Sequence, residues 1–543
     1  MKNFLLILPI CFSYAVSAVI VSEPVMPKLS KPVNELPKAI FKKTSGEVRI
    51  VPRNAPKSKV PISKIHEKKV IDAALQIKRT KNNVSGSLNF EGISDSNVMP
   101  PDTVGDVGPN HYVQMINSSD GAKFAIYNKT GTLLAGPTEL GTLWEPTDPI
   151  AIGALGDPIV MYDQLADRWF LSQFAAPNGH STPPFYLGIA ISQTSNPTGA
   201  YFLYTFNVGN VFPDYPKYAV WPDGYYMASN ESDVGIWAFD RSNMLAGAAA
   251  TYQKKTLNNR NFMLPCDLDG NTLPPANSPN YFYTMMDDTY WPAQGVPGVD
   301  RLEIWEFHVD WNTPANTTFT HTQNITNAPF NYDVGDNPYD WDVIPQPGTS
   351  QKLDAIGEWP MWRLQYRNFG SHATLVGNFT VDVTGSKLAG IRWFELRKTG
   401  SQIWNLYQEG TYSPDSNHRW MGSVAMNGNG DIALGYSVSS STVYPSIRVA
   451  SRLSGNSLGI LGDETNFITS AASQTGGNRW GDYSAMTVDP VDNSFWYTHE
   501  YVGSDNNWRT RIINFNVVPE PITFGIFYLT LWIFFRNNLK NIL

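Results

Sequence analysis

The chain has 543 residues, 13% of them aromatic and only 16% charged, with 42 Gly and 39 Pro. That composition suits many short strands joined by tight turns and excludes a helical domain built from long Ala, Leu, Glu and Lys-rich stretches. The net charge of −8 conceals an asymmetry: Val19 to Lys81 holds fifteen Lys and Arg against five Asp and Glu, so a basic arm precedes an acidic body.

In chain order, Met1-Lys2-Asn3 is a short positive start and Phe4 to Val16 an apolar core. Val16-Ser17-Ala18 supplies small residues for cleavage after Ala18, so 1–18 reads as a secretory signal peptide. Of the two cysteines, Cys11 falls inside it; Cys266 is then alone, and the mature chain can form no internal disulfide. Residues 19–81 form a Pro- and Lys-rich leader, low in hydrophobicity and high in charge, which is expected to be disordered apart from a weak helical patch over Ile62 to Arg79. Nucleic acid is not an expected partner, because the leader has almost no aromatic residues for base stacking and follows an export signal.

From Met99 onward, short alternating runs are separated by Gly, Asp, Asn and Pro. One unit recurs: a polar or aromatic opening, a short strand, a tight turn and a second aromatic-rich strand. Copies open at Gly105, Gly156, Asp214, Glu358, His418 and Arg479, with a looser one at Ser278. Units of this kind about 50 to 80 residues apart are what a β-propeller requires, since a four-stranded blade buries its faces only by stacking on neighbours. The body, 82–518, is predicted to be an all-β propeller of seven blades, six or eight being the adjacent counts and tandem β-sandwiches the alternative.

The last segment, 519–543, contains Pro519-Glu520-Pro521, an uncharged apolar run from Ile522 to Phe535, then Arg536 and Lys540. Fourteen residues are short for a stable span, which takes about 17 to 25. The tail resembles the PEP-CTERM sorting signal of Gram-negative bacteria. The resemblance implies an exosortase-type processing protease as partner, transient association with the inner membrane, and export to the cell surface or extracellular matrix. Within the body, "PPDTVGDVGPNHYVQMIN" from Pro100, "HRWMGSVAMNGNGDIALGYS" from His418, "YPSIRVASRL" from Tyr444 and "RWGDYSAMTVDPVDNSFWYTHEY" from Arg479 resemble a largely uncharacterised family of large secreted bacterial proteins with a β-propeller-like body. That resemblance implies fold and compartment and brings no activity.

Functional groups of a propeller gather where inner strands and loops meet the central channel. The charged residues at the unit openings, Asp106, Asp157, Lys217, Glu358, Arg363, Arg419, Arg479 and Asp482, are therefore the candidate ligand-binding set, with Asp102, Asp214 and His418 beside them. Arg419 and Arg479 open consecutive units and are expected to face one channel. The competing role for the same residues is to tie neighbouring loops together, with Trp420 and Trp480 wedged between blades. Nucleophile elbows, phosphate loops and zinc-ligand spacings are absent from the sequence. Calcium is the more plausible metal: Asp267 and Asp269 in "DLDGN", and the turns at Asp333 and Asp489, place oxygen ligands close together, although Asx-turns explain the same letters. No cofactor is required. These residues fit a binder of glycan or protein ligands at one propeller face, an extracellular glycoside hydrolase or lyase using channel carboxylates, or a structural matrix component; whether the protein is an enzyme stays open.

Overall fold

A computed structural model describes residues 15–39, 48–51, 71–78 and 82–519, apart from 96, 232, 261, 289–298 and 336–340. The signal-peptide core up to residue 14, the apolar tail and most of the helical patch lie outside the described residues. Among the described residues no helix is long and apolar enough to cross a membrane.

Among the described residues the body is a ring of seven four-stranded antiparallel blades. Blades 1 to 3 begin with the inner strands Val104–Val107, Ala154–Asp163 and Asp214–Trp221. Blades 4 to 7 begin with Leu264–Asp269, Pro360–Asn368, His418–Met426 and Ala485–Val488. Each inner strand contacts the next, and that of blade 7 contacts that of blade 1, so the ring closes. Between blades 4 and 5 the approach is close enough for parallel pairing, with Cys266 opposite Leu364 and Asp269 opposite Arg367. The aromatic excess is spent between the sheets: Trp169, Trp221, Trp237, Trp305, Trp393, Trp420 and Trp480 are all fully buried. Trp420 and Trp480, the two echoes in the sequence, touch at a ring-centroid distance of 5.9 Å between blades 6 and 7.

Two sequence expectations need correction here. The unit placed at Ser278 is the second strand of blade 4, Asn280–Met286; the inner strand is "LPCDLD" at Leu264–Asp269, whose proline, cysteine and acids hide the alternation. The leader is not wholly disordered. Ile20–Val21 adds to the outer strand of blade 3, opposite Lys254 and Gln253, and Lys28–Leu29 adds to that of blade 2. Arg49–Ile50 pairs with Val98–Met99 on the ring's face. Over 71–78 the chain makes a turn and a bridge from Leu75 to Thr411 rather than helix, anchored by Asp72, which binds the buried Arg392 at 2.7 Å. Prolines and charges keep the leader from forming a core of its own, yet its short extended pieces satisfy exposed blade edges.

The stretch just before the first blade has a larger role. Asn82–Glu91 pairs antiparallel with Trp508–Pro519 as the outermost strand of blade 7, whose other strands come from the C-terminal end of the body. One blade thus joins both ends of the ring.

Candidate functional site

All inner strands run from one face of the ring, here the mouth face, to the far face. At six mouths a non-glycine residue adopts a left-handed backbone: Asp102 (φ 45°), Asp157 (46°), Tyr215 (52°), Phe262 (43°), Ile356 (42°) and Met421 (52°). Such conformations cost on the order of 1 to 3 kcal/mol each and persist only where surroundings fix them. In blades 2, 3 and 6 the left-handed residue coincides with a break in strand register, between Gly156 and Ile159, Asp214 and Lys217, and Trp420 and Ser423. Each kink re-aims the side chains beside it.

Four aromatic rings from four blades fill the mouth of the channel. Tyr215 meets Trp359 edge-on at 4.2 Å, Phe262 stacks on Trp359 at 4.1 Å, and Tyr483 lies 6.1 Å from Tyr215. Lys217, fully buried, places its ammonium 3.5 Å from the Tyr215 centroid and 3.9 Å from that of Tyr483. Among the described residues its ammonium donates one hydrogen bond, a long one of 3.4 Å, to the Pro216 carbonyl.

Acids surround this cation without touching it. Asp102 accepts from the Asp482 backbone N–H at 2.8 Å and from the Asn117 amide at 2.9 Å, while Asn117 accepts from the Asp157 N–H at 2.9 Å. That last bond needs Gly156, where an added Cβ would sit 2.3 Å from the Asn117 carbonyl oxygen. Arg479 donates to Asp482 at 2.6 Å and to the Val51 carbonyl of the leader at 2.5 Å, and lies 3.4 Å from Asp354. Glu500 accepts from the Gly481 N–H through one oxygen; its other oxygen is buried with no hydrogen-bond partner among the described residues.

Desolvation governs the charges. Burial raises Asp157 and Asp214 to about 7 against the pull of Lys217, and lifts Asp102 and Glu500 well above the carboxylate range. Burial lowers Lys217 to about 8, although four aspartates pull it the other way. On one side of the cluster Arg49, His180, Phe212 and Asp214 are half-buried. His180 lies 4.8 Å from the Phe212 ring, and Arg49 couples electrostatically to both His180 and Asp157.

Of the predicted residues, Asp157, Lys217, Arg479 and Asp482 thus come together. Asp106 and Arg363 lie deeper along the inner strands, in a second buried cluster. Arg363 binds Asp267 at 2.6 Å and also Asp269, and Asp106 accepts from the N–H groups of Val107 and Tyr162, both at 2.7 Å. Asp267 takes the Val220 N–H at 2.8 Å and Gln365 takes that of Met426 at 2.6 Å. These side chains staple adjacent inner strands. Glu358 occupies a half-buried turn ahead of blade 5.

Two readings of the sequence change. Arg419 does not share a channel with Arg479: it crosses its own blade to Glu464, at 2.9 and 3.1 Å, and to Asp415 at 2.8 Å. The register break after Trp420 sends it outward. The calcium candidates Asp267 and Asp269 hold the Arg363 guanidinium where a cation would have to sit. The turns at Asp333 and Asp489 are closed by their own backbone N–H groups, from Gly335 and Val491.

Sequence reasoning missed Tyr215, Tyr483, Asn117, Glu500 and the leader residues Arg49 and Val51. A signal existed for the tyrosines: the dipeptide Asp-Tyr opens blade 3 at Asp214 and recurs in blade 7 at Asp482. Asn117 and Glu500 sit on second strands, where no mouth pattern marks them.

No family model matches this chain, and no curated protein does. Among solved structures it is similar to an ulvan lyase of polysaccharide lyase family PL25, at 12% identity, over 81% of this chain and 96% of that one, with a TM-score of 0.35. It is also similar to the BP39L lectin from Burkholderia pseudomallei, at 10% identity, over 75% and 97%, with a TM-score of 0.32. An exo-β-1,3-galactanase from Clostridium thermocellum gives 11% identity, 80% and 99%, and 0.29. Scores this low speak to neither the ligand nor the reaction of this chain.

Proposed function

We propose that this protein is exported to the cell surface or extracellular matrix, its C-terminal tail processed by an exosortase-type protease. There it binds a glycan or protein ligand at the mouth face. The observation that carries the binding site is Lys217. Its buried ammonium is held by two tyrosine faces rather than by an ion pair, and the fold bears a cost for it. A cation–π contact contributes on the order of 2 kcal/mol when desolvated. Burial lowers the ammonium from 10.5 to about 8 against the pull of four aspartates. A charge kept against stability, beneath a ring of left-handed residues, marks a site arranged for something other than packing.

The ligand meets the half-buried Phe212 and His180 as an apolar platform, and Arg49 and Asp214 as polar partners. Lys217 sets the field beneath them, and no cofactor is needed. The test is a glycan array together with hydrolysis and elimination assays on the full chain and on the Asp214→Asn and Phe212→Ala variants. Binding that both variants weaken supports the reading. Turnover removes it in favour of an enzyme, and silence in every assay favours a structural matrix role.

A second reading has one specific observation in its favour. Asp157 and Asp214, near 7, stand beside Lys217, near 8, and such groups exchange protons readily at neutral pH, as general acid–base catalysis needs. Turnover abolished by Asp214→Asn would establish it.

A further inference from the structure

A cavity of about 570 Å³ opens where the leader crosses the outer strand of blade 1. Leader residues between Leu29 and Pro37 form one wall and the turn after strand Leu133–Glu139 the other, with Asp120 also on its border. No residue of the Lys217 cluster lines it.

The leader spans this hollow because it is tied down on both sides. The Ser30 N–H donates to the Tyr201 carbonyl of blade 2 at 3.0 Å, and the Ala39 N–H to the Pro137 carbonyl of blade 1 at 2.8 Å. Between them Val33 is buried, and Lys28 pairs with Asp148 at 3.1 Å.

The lining combines apolar stretches, from Leu36, Pro37, Leu143 and Pro146, with an excess of acid. Glu35, Asp120 and Glu145 are exposed and form no ion pair among the described residues, and Lys31 is the one cation among the lining side chains. Arg49 reaches Asp120 only through its longer-range field. Glu139, half-buried, accepts from the Ser118 hydroxyl at 2.6 Å and lies 3.3 Å from Lys123. Gln173 points the same way. It is fully buried, and its carboxamide has no hydrogen-bond partner among the described residues at either end, a costly state for an amide. Its nitrogen lies 3.8 Å from the place a Cβ on Gly141 would take, so at that lining residue no side chain separates it from the cavity.

The spacing of the charges decides the ligand. Among the described residues only Asp287, Asp288 and Asp300 gather three acidic ligand atoms within 4.8 Å, so the carboxylates here stand too far apart to close around one metal ion. They suit ammonium groups held apart by methylene chains, which lie along apolar walls while their ends reach carboxylates. The Gln173 amide offers such N–H groups a further acceptor. The volume falls within the range of small-molecule sites, about 300 to 1,000 Å³.

We propose that this cavity binds an aliphatic polyamine, independently of the mouth face. The test is calorimetric titration of the full chain with spermidine, with putrescine, Mg²⁺ and the neutral triethylene glycol as comparisons. Saturable one-to-one binding of spermidine is expected, tighter than that of putrescine or Mg²⁺, with none of the glycol. The affinity should fall about tenfold in the double variant Asp120→Asn/Glu145→Gln and rise in Lys31→Met. All three side chains are exposed, so circular dichroism and thermal unfolding should be unchanged; if the double variant is not folded, Lys31→Met decides. No saturable binding, Mg²⁺ bound as tightly as spermidine, native affinity in the double variant, unchanged or weaker binding in Lys31→Met, or binding lost in Asp214→Asn overturns the proposal. Only the mouth-face reading depends on Asp214, so the two can fail separately.

Discussion

The ammonium of Lys217 rests 3.5 Å from the centroid of the Tyr215 ring, and no carboxylate among the described residues comes within ion-pair distance of it. The consequence for stability has a definite sign. Lys217 is lowered to about 8 in the fold from an ordinary 10.5, so the unfolded chain holds that proton more tightly between those values. The fold carries the full penalty below pH 8 and is relieved of it as pH rises toward 10.5, a difference of about 3 kcal/mol. Lys217→Met should therefore raise the thermal midpoint at pH 7, and the gain should shrink at pH 9.5. An equal gain at both pH values would show that charge burial is not the cause.

Asp157 works in the opposite pH range. Its folded value is raised from 3.8 to about 7 by burial, so the folded state binds the proton more tightly. The resulting stabilisation is present in full below pH 4 and is lost as pH rises through 7. Asn has nearly the shape of Asp and tolerates the left-handed backbone (φ 46°) at this position. Asp157→Asn should thus gain stability relative to the native chain from pH 4 to pH 8, followed by thermal unfolding at matched ionic strength. A pH-independent difference would mean that Asp157 is ionised throughout.

Arg419, expected in the channel, provides a negative control. Its side chain is fully buried and pairs with Glu464, itself largely buried and shared with Arg448 and the Tyr436 hydroxyl. Removing one partner of such a pair costs on the order of 3 kcal/mol. Arg419→Met should lower stability by about that amount in denaturant titrations while leaving mouth-face binding, measured on the folded fraction, unchanged. Loss of binding with little loss of stability would return Arg419 to the site.

The contrast between Arg419 and Arg479 shows what the sequence could reveal. Both open a unit with Arg-Trp, and both tryptophans pack between blades as that pattern requires, so the blade count was legible from hairpin spacing and aromatic content. What differs is the backbone after the tryptophan: a left-handed Met421 and a register break in blade 6 turn Arg419 outward, while Arg479 precedes its strand and reaches Asp482 and Asp354. A one-residue break reverses the facing of a side chain and leaves no compositional mark. The leader was illegible for another reason. Its charge and proline content describe a segment with no core of its own, and the edges that order Ile20–Val21 and Lys28–Leu29 are supplied by blades more than 150 residues away.

Ring closure is the property most open to a direct test. Asn82–Glu91 lines the outer edge of blade 7, with Asn514 opposite Leu88 and Arg511 opposite Glu91. Phe90 meets Tyr127 of blade 1 at 5.4 Å, and the Ile93 N–H donates to Gln114 of the same blade at 2.7 Å. One strand thus completes a sheet and ties the last blade to the first. A chain beginning at residue 82 keeps all of this and loses the leader contacts, including Asp72 to Arg392 and Val51 to Arg479. It should stay folded with a lowered thermal midpoint. A chain beginning at residue 92 exposes the whole Trp508–Pro519 edge to solvent and to other chains. It should lose its cooperative transition and elute as aggregate in size-exclusion chromatography. If the two truncations unfold alike, the strand decorates blade 7 without holding the ring.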